Sequence, residues 1–216
     1  TYYNPYNGNS VAVKGTIQKA TARTFSYTFN QLLTYDRKFG DHHFEALVGH
    51  EFYIYRYDYL SATKTGFPFG GLYELDAATT ITGASSYQNN YAVQSVLSRL
   101  NYDFADKYYL SASFRTDGSS RFSEDNRWGY FPSVALAWKI NEEAFMKNLT
   151  WWNEFKLRLG WGMTGQQDIN SDFGYETHYT SSDSFAQYPF GDTYYGTMRP
   201  SAYNPDLKWE TTTTYN

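Results

Sequence analysis

The 216-residue sequence contains no cysteine, so a disulfide scaffold and a thiolate metal site are both excluded. It also lacks any run of about 18 apolar residues, which excludes a membrane-spanning helix. Mean hydropathy is only −0.65. That value does not settle solubility, because a barrel strand needs lipid-compatible residues at alternate positions alone and long polar loops dilute the mean. An excess of positive charge is missing as well: 18 Lys and Arg against 22 Asp and Glu leave no broad basic surface for nucleic acid. There is no secretion signal in the polar opening "TYYNPYNGNS", as expected of a processed start or an excerpt. Aromatic residues, by contrast, are abundant: 23 Tyr, 16 Phe and 6 Trp make up 21% of the chain, a composition that favours strands.

Alternation runs through the sequence. In the stretch 114–140, Val134, Leu136, Trp138 and Ile140 alternate with Ser133, Ala135, Ala137 and Lys139. The same period of two places Phe25, Tyr27, Phe29, Leu33 and Tyr35 on one face of 24–35, with Gln31 and Leu32 as exceptions. It recurs in 43–55, where Phe44, Ala46, Val48, Phe52 and Ile54 oppose Glu45, Gly49 and Glu51, and His50 breaks the pattern. Segments 92–104 and 108–117, joined by "ADK", form the cleanest hairpin, and 153–164 and the final "KWETTTTYN" complete the set. Period-two alternation predicts strands with one apolar and one wetter face.

The predicted connections alternate between short (36–42, 105–107, 141–152) and long (56–91, 118–128, 165–208). Strands of about 9–11 residues with short turns at one end and long loops at the other predict an all-β, antiparallel transmembrane β-barrel segment. Arg99, Asn101, Arg115, Lys156 and Arg158 fall on the polar face in mid-strand, where a dry core would not accept them but a wetted lumen would. Tyr35, Phe104, Tyr108, Trp151 and Trp152, near the short turns, suit an interfacial aromatic girdle.

Signals for bond chemistry are weak. Ser119 and Ser120 in "TDGSSRF" have no His or acidic partner at a recognisable spacing and read as a turn. His42, His43, His50 and His178 show no zinc spacing. "DINSDFGYE" offers Asp168, Asn170, Asp172 and Glu176 as oxygen ligands. Phe173 and Tyr179 stand where a calcium loop needs Gly and Glu, so the stretch reads as a solvated acidic loop and no cofactor is expected. "GFPFGGLYEL" lacks the glycine spacing of a phosphate cradle. No enzyme is expected.

The motifs "FRTDGSSRF…NRWGYFPSVALAWKINEEAF", "LRLGWGMTGQQDI", "LTYDRKFGDHHFEALVGHE" and "NPDLKWETT", in that order, resemble the SusC/RagA-like branch of TonB-linked outer-membrane transporters. One departure is "TGQQDI", where the family more often has Asn after the Gly. The resemblance implies that 1–216 is part of a barrel domain of about 22 strands, with the plug and TonB box outside this segment. It implies location in the outer membrane, in contact with its lipids. It implies import of oligosaccharides or oligopeptides with a SusD-like lipoprotein and the TonB complex as partners. On this reading Trp128, Tyr130, Asp117, Arg121, Tyr188 and Tyr194 become candidate contacts to substrate or lid, with Phe190 and Tyr195 beside them. Aromatic faces stack on sugars and pack against proteins. Loop packing, or an internal Arg121–Asp117 ion pair, is the plainer role. A siderophore or cobalamin receptor and a soluble carbohydrate-binding β-domain are the alternatives.

Overall fold

The computed structural model describes residues 1–6, 8–146, 154–169, 172–181 and 186–216. Its strands are β1 (Tyr2–Tyr3), β2 (Thr16–Phe39), β3 (His42–Thr65), β4 (Thr80–Phe104), β5 (Tyr108–Ser119), β6 (Trp128–Lys139), β7 (Lys156–Gln166), β8 (Tyr179–Ser181), β9 (Gln187–Phe190), β10 (Thr193–Gly196), β11 (Met198–Pro200) and β12 (Glu210–Tyr215). Eight of them form one sheet in the order β1-β2-β3-β4-β5-β6-β7-β12, so each long strand pairs with its neighbour in sequence. Among the described residues there is no α-helix, and no second sheet large enough to make a sandwich.

The register follows the alternation. In β5 and β6, Leu110 pairs with Leu136, Ala112 with Val134 and Tyr108 with Trp138, so the apolar sets share a face. β4 adds Leu100 opposite Ala112, and β7 adds Leu159 opposite Leu136. The connection after Phe104 is a three-residue hairpin loop, 105–107, with Ala105 and Asp106 both at positive φ (53° and 54°). It closes through the Lys107 amide donating to the Phe104 carbonyl at 3.0 Å.

Two expectations about connections need correction. The predicted loop 56–91 is mostly strand: β3 runs to Thr65 and β4 starts at Thr80, leaving only 66–79 as the connection. β2, β3 and β4 are 24, 24 and 25 residues long, roughly twice the length a bilayer crossing needs. Both faces of these extensions are polar, so the hydrophobic contrast that marks a strand disappears although Tyr and Thr still favour one. The predicted irregular stretch 165–208 carries two short ladders, β9 with β10 and β8 with β11. The six long strands and the start of a seventh match the expected number.

The chain divides into two compact units. The first, residues 1–27 and 54–90, has its own small core of Ile17, Phe67 and Ala78, with Tyr2, Leu72 and Leu75 packed against it. The second, residues 28–53 and 91–216, contains the short turns, the crossing strands and the motif-bearing loops.

Candidate functional site

Within the second unit the two sheet faces differ completely. One carries large apolar side chains that no described part of the chain covers: Leu136 is 50% exposed, Leu159 57% and Leu33 74%. A water-soluble monomer does not leave so broad an apolar surface bare. At the short-turn end this face is edged by a row of touching rings from five strands. Phe39 meets Phe44 (6.5 Å between centroids), Phe44 meets Tyr102 (4.7 Å), and His42 meets Phe104 (4.7 Å). Phe104 and Tyr108 then stack, as do Tyr108 and Trp138, both at 6.3 Å. At the other end Tyr130 stacks on Phe114 at 6.3 Å, and the Trp128 indole lies over Gly118. From Trp138 back to Tyr130 or Trp128 is about 26–33 Å of strand, which at a barrel tilt near 40° is about 20–25 Å across. That is the height of a lipid-facing band between two aromatic girdles.

The opposite face is charged and hydrogen-bonded. His43 bridges Asp103 (2.7 Å) and Asp36 (3.1 Å). The Asn101 amide donates to Glu45 at 3.0 Å, and Ser111 donates to the Asn101 carbonyl oxygen at 2.7 Å. Arg115 donates from Nε to both oxygens of Asp117 at 2.8 Å and from Nη2 to Ser95 at 3.0 Å, with Glu51 at 3.5 Å. Lys156 and Lys139 sit over the Tyr109 ring at 4.6 and 5.3 Å. The register places Arg99 opposite Ser113 and Arg158 opposite Ala137, so all five charged or amide residues expected there share this face.

The sequence exceptions have local reasons. Leu32 lies on the polar side, with its Cδ2 2.5 Å from where a Cβ on Gly49 would stand and Leu97 beside it. Glycine at 49 makes room for it. His50 is held by the Gln94 amide at 3.2 Å. Near the short turns, Glu143 accepts hydrogen bonds from the Tyr108 hydroxyl and from Trp138 Nε1 (3.1 Å). These donors and nearby Lys107 hold its carboxyl below the usual glutamate range.

The candidate contact residues separate into four places. Trp128 and Tyr130 stand on the apolar face, in the second aromatic row. Asp117 is buried and bound to Arg115 rather than to Arg121. Arg121 pairs with Asp172 (2.9 Å) and Asp168 (3.4 Å) and stacks over Tyr91 at 4.0 Å. Two of the three carboxylates considered for calcium, Asp168 and Asp172, therefore hold a guanidinium; Asn170 lies outside the described residues, as do Trp151 and Trp152. Tyr188 and Tyr194 are exposed on the β9–β10 hairpin, where Tyr188 stacks on Tyr195 at 5.7 Å.

The motif segments meet in space. Trp209 of "NPDLKWETT" packs on Phe122 (5.5 Å) and Phe131 (5.3 Å) and donates from Nε1 to the Arg127 carbonyl at 2.9 Å. Ser123 and Asn126 donate to the Pro205 carbonyl at 3.2 and 3.4 Å. This knot, with Phe122 and Ser119 fully buried, pins the base of the long loops. Sequence reasoning found the segments and missed their contact, which no local spacing announces.

A sheet with a bare apolar face bounded by aromatic rows, and a charged opposite face, is the wall of a transmembrane β-barrel. The chain belongs to the TonB-dependent receptor-like β-barrel family, whose model matches residues 1–216. It is 41% identical over 221 aligned residues to the TonB-dependent receptor SusC of Bacteroides thetaiotaomicron, an alignment covering all of this chain and 21% of that protein. It is 32% identical over 204 residues to the TonB-dependent receptor P39 of Formosa agariphila, covering 89% of this chain and 18% of the relative. Among solved structures, the RagAB peptide transporter superposes with a TM-score of 0.80 at 27% identity, over 93% of this chain and 22% of that one. The chain thus spans about a fifth of the length of these proteins.

Proposed function

We propose that this chain is part of the barrel wall of an outer-membrane importer that takes up oligosaccharides in a TonB-dependent cycle. A SusD-like lipoprotein covers its outer mouth, and the TonB complex acts through a region outside this segment. The observation that carries this reading is the alignment to SusC along the whole chain at 41% identity. The polar face supports it, because a wetted lumen is where Asp36, His43, Glu45, Glu51, Arg115 and Asp117 remain satisfied next to a lipid-facing surface. Arg99, Asn101, Arg115, Lys156 and Arg158 line the passage in this reading and hold the plug or the moving cargo by hydrogen bonds. No bond is made or broken. Peptide cargo is the second reading, favoured by the likeness to the RagAB peptide transporter.

Growth of a strain deleted for the full-length gene, on single glycans and on peptides as sole nutrient, tests the proposal. Loss of growth on one glycan class supports it. Loss on peptides alone moves the cargo to the second reading, and undiminished growth on every nutrient contradicts import.

A further inference from the structure

We propose that β3 and β4 carry, within the first unit, a stacking track for neutral oligosaccharides made by Tyr55, Tyr57, Tyr59 and Tyr87. It rests on the import reading above and names one place where cargo touches the wall. Tyr55, Tyr57 and Tyr59 occupy every second position of β3, so their rings leave the same face. Tyr87 of β4 joins them, its ring 5.1 Å from that of Tyr59 at 32° and 6.0 Å from that of Tyr57 at 40°. Tyr87 is 51% exposed, so its ring is not used up in packing.

The chemistry around the rings narrows the ligand. Positions of the same parity are Ser61 and Thr63 on β3 and Gly83, Ser85 and Asn89 on β4, none of them charged. Gly83 lies across from Thr63, where an added Cβ would stand 3.6 Å from the Thr63 Cβ. The charges of this stretch are on the other face: Arg56 pairs with Asp58 at 3.2 Å, and Gln88 donates to Asp58 at 2.9 Å. Flat rings with hydroxyl tips, among hydroxyl and amide side chains and without charge, fit a ligand with C–H faces and hydroxyl edges. A neutral sugar chain has both. An acidic glycan or a charged peptide finds no counter-ion there.

The test uses the full-length protein, purified from outer membranes with whatever lipoprotein accompanies it. Titration calorimetry with maltoheptaose, xylohexaose and an uncharged Gly/Ser/Asn decapeptide compares wild type with the triple variant Tyr57→Ala, Tyr59→Ala, Tyr87→Ala. The sugar that wild type binds loses about 10- to 100-fold in affinity in the triple alanine variant, and stays within about threefold when the same three become Phe. The opposite-face pair Arg56→Ala, Asp58→Ala leaves it unchanged. Binding of that sugar within about twofold of wild type in the triple alanine variant overturns the track and leaves the import reading standing. A wild type that binds neither sugar removes the oligosaccharide reading itself, whether or not it binds the decapeptide. Assembly is checked by heat-modifiable migration; if the triple variant does not assemble, Tyr87→Ala alone replaces it, with an expected loss of about three- to tenfold.

Discussion

Phe131 is largely buried on the polar side of β6 because two glycines leave space for its ring. A Cβ at Gly165 would stand 2.1 Å from Phe131 Cζ, and one at Gly129 would stand 2.4 Å from it. Gly165→Ala therefore forces the ring out of its place against Trp209, and a loss of about 1–3 kcal/mol in the full-length barrel, measured by denaturant unfolding in detergent, is expected. Ala105 presents the opposite case, a side chain where the turn wants none or a short polar one. At φ 53° it carries a left-handed strain that Asn tolerates better. Ala105→Asn is expected to raise stability by up to about 1 kcal/mol in the same assay. Glu143 supplies a pH dependence. Its carboxyl is held low by the Tyr108 and Trp138 donors. Its contribution is thus complete above the ordinary glutamate value and lost as pH falls through the lowered one. The melting-temperature difference between wild type and Glu143→Gln is expected to be present at pH 7 and to vanish on acidification below the lowered value; a difference independent of pH would assign the turn's stability to other contacts.

At the scale of elements, what could be read from the sequence followed the contrast between the two faces. Within the apolar band, Val134, Leu136 and Trp138 against Ser133, Ala135 and Ala137 declared strand, face and register together, and the ladder to β5 and β7 agrees. Within the first unit the contrast ends, and strands run where the sequence reads as loop. The tyrosines at 55, 57 and 59 were the available sign, a period of two in ring positions rather than in hydrophobicity. The knot of Trp209, Phe122 and Phe131 joins segments nearly ninety positions apart, and nothing local marks their contact. The face assignment predicts unequal costs for one substitution at adjacent positions. Val134→Arg, midway between the two aromatic rows, is expected to cost about 2–4 kcal/mol in a folding titration into lipid vesicles, and Ala135→Arg, on the wetted side, less than about 1 kcal/mol.

For the whole molecule, the sheet order begins with β1, which pairs only with Thr16 and Ile17 of β2, and ends with β12. An open sheet edge is not viable in hydrocarbon. Residues 1–216 expressed alone are accordingly expected to give no heat-modifiable, protease-resistant species in vesicles, and recovery of one would refute this. The central claim is that the apolar face meets lipid and the charged face meets water. Its most direct test uses the absence of native cysteine in this stretch. Single cysteines at 133 to 138 in the full-length protein, reconstituted in vesicles, are labelled with a membrane-impermeant thiol reagent and, separately, with a fluorophore quenched by brominated lipid. Labelling by the aqueous reagent at 133, 135 and 137, with lipid quenching at 134, 136 and 138, is the predicted result. Aqueous labelling at all six positions, or protection without lipid quenching at the even ones, would mean that the apolar face meets protein or water and would contradict the account.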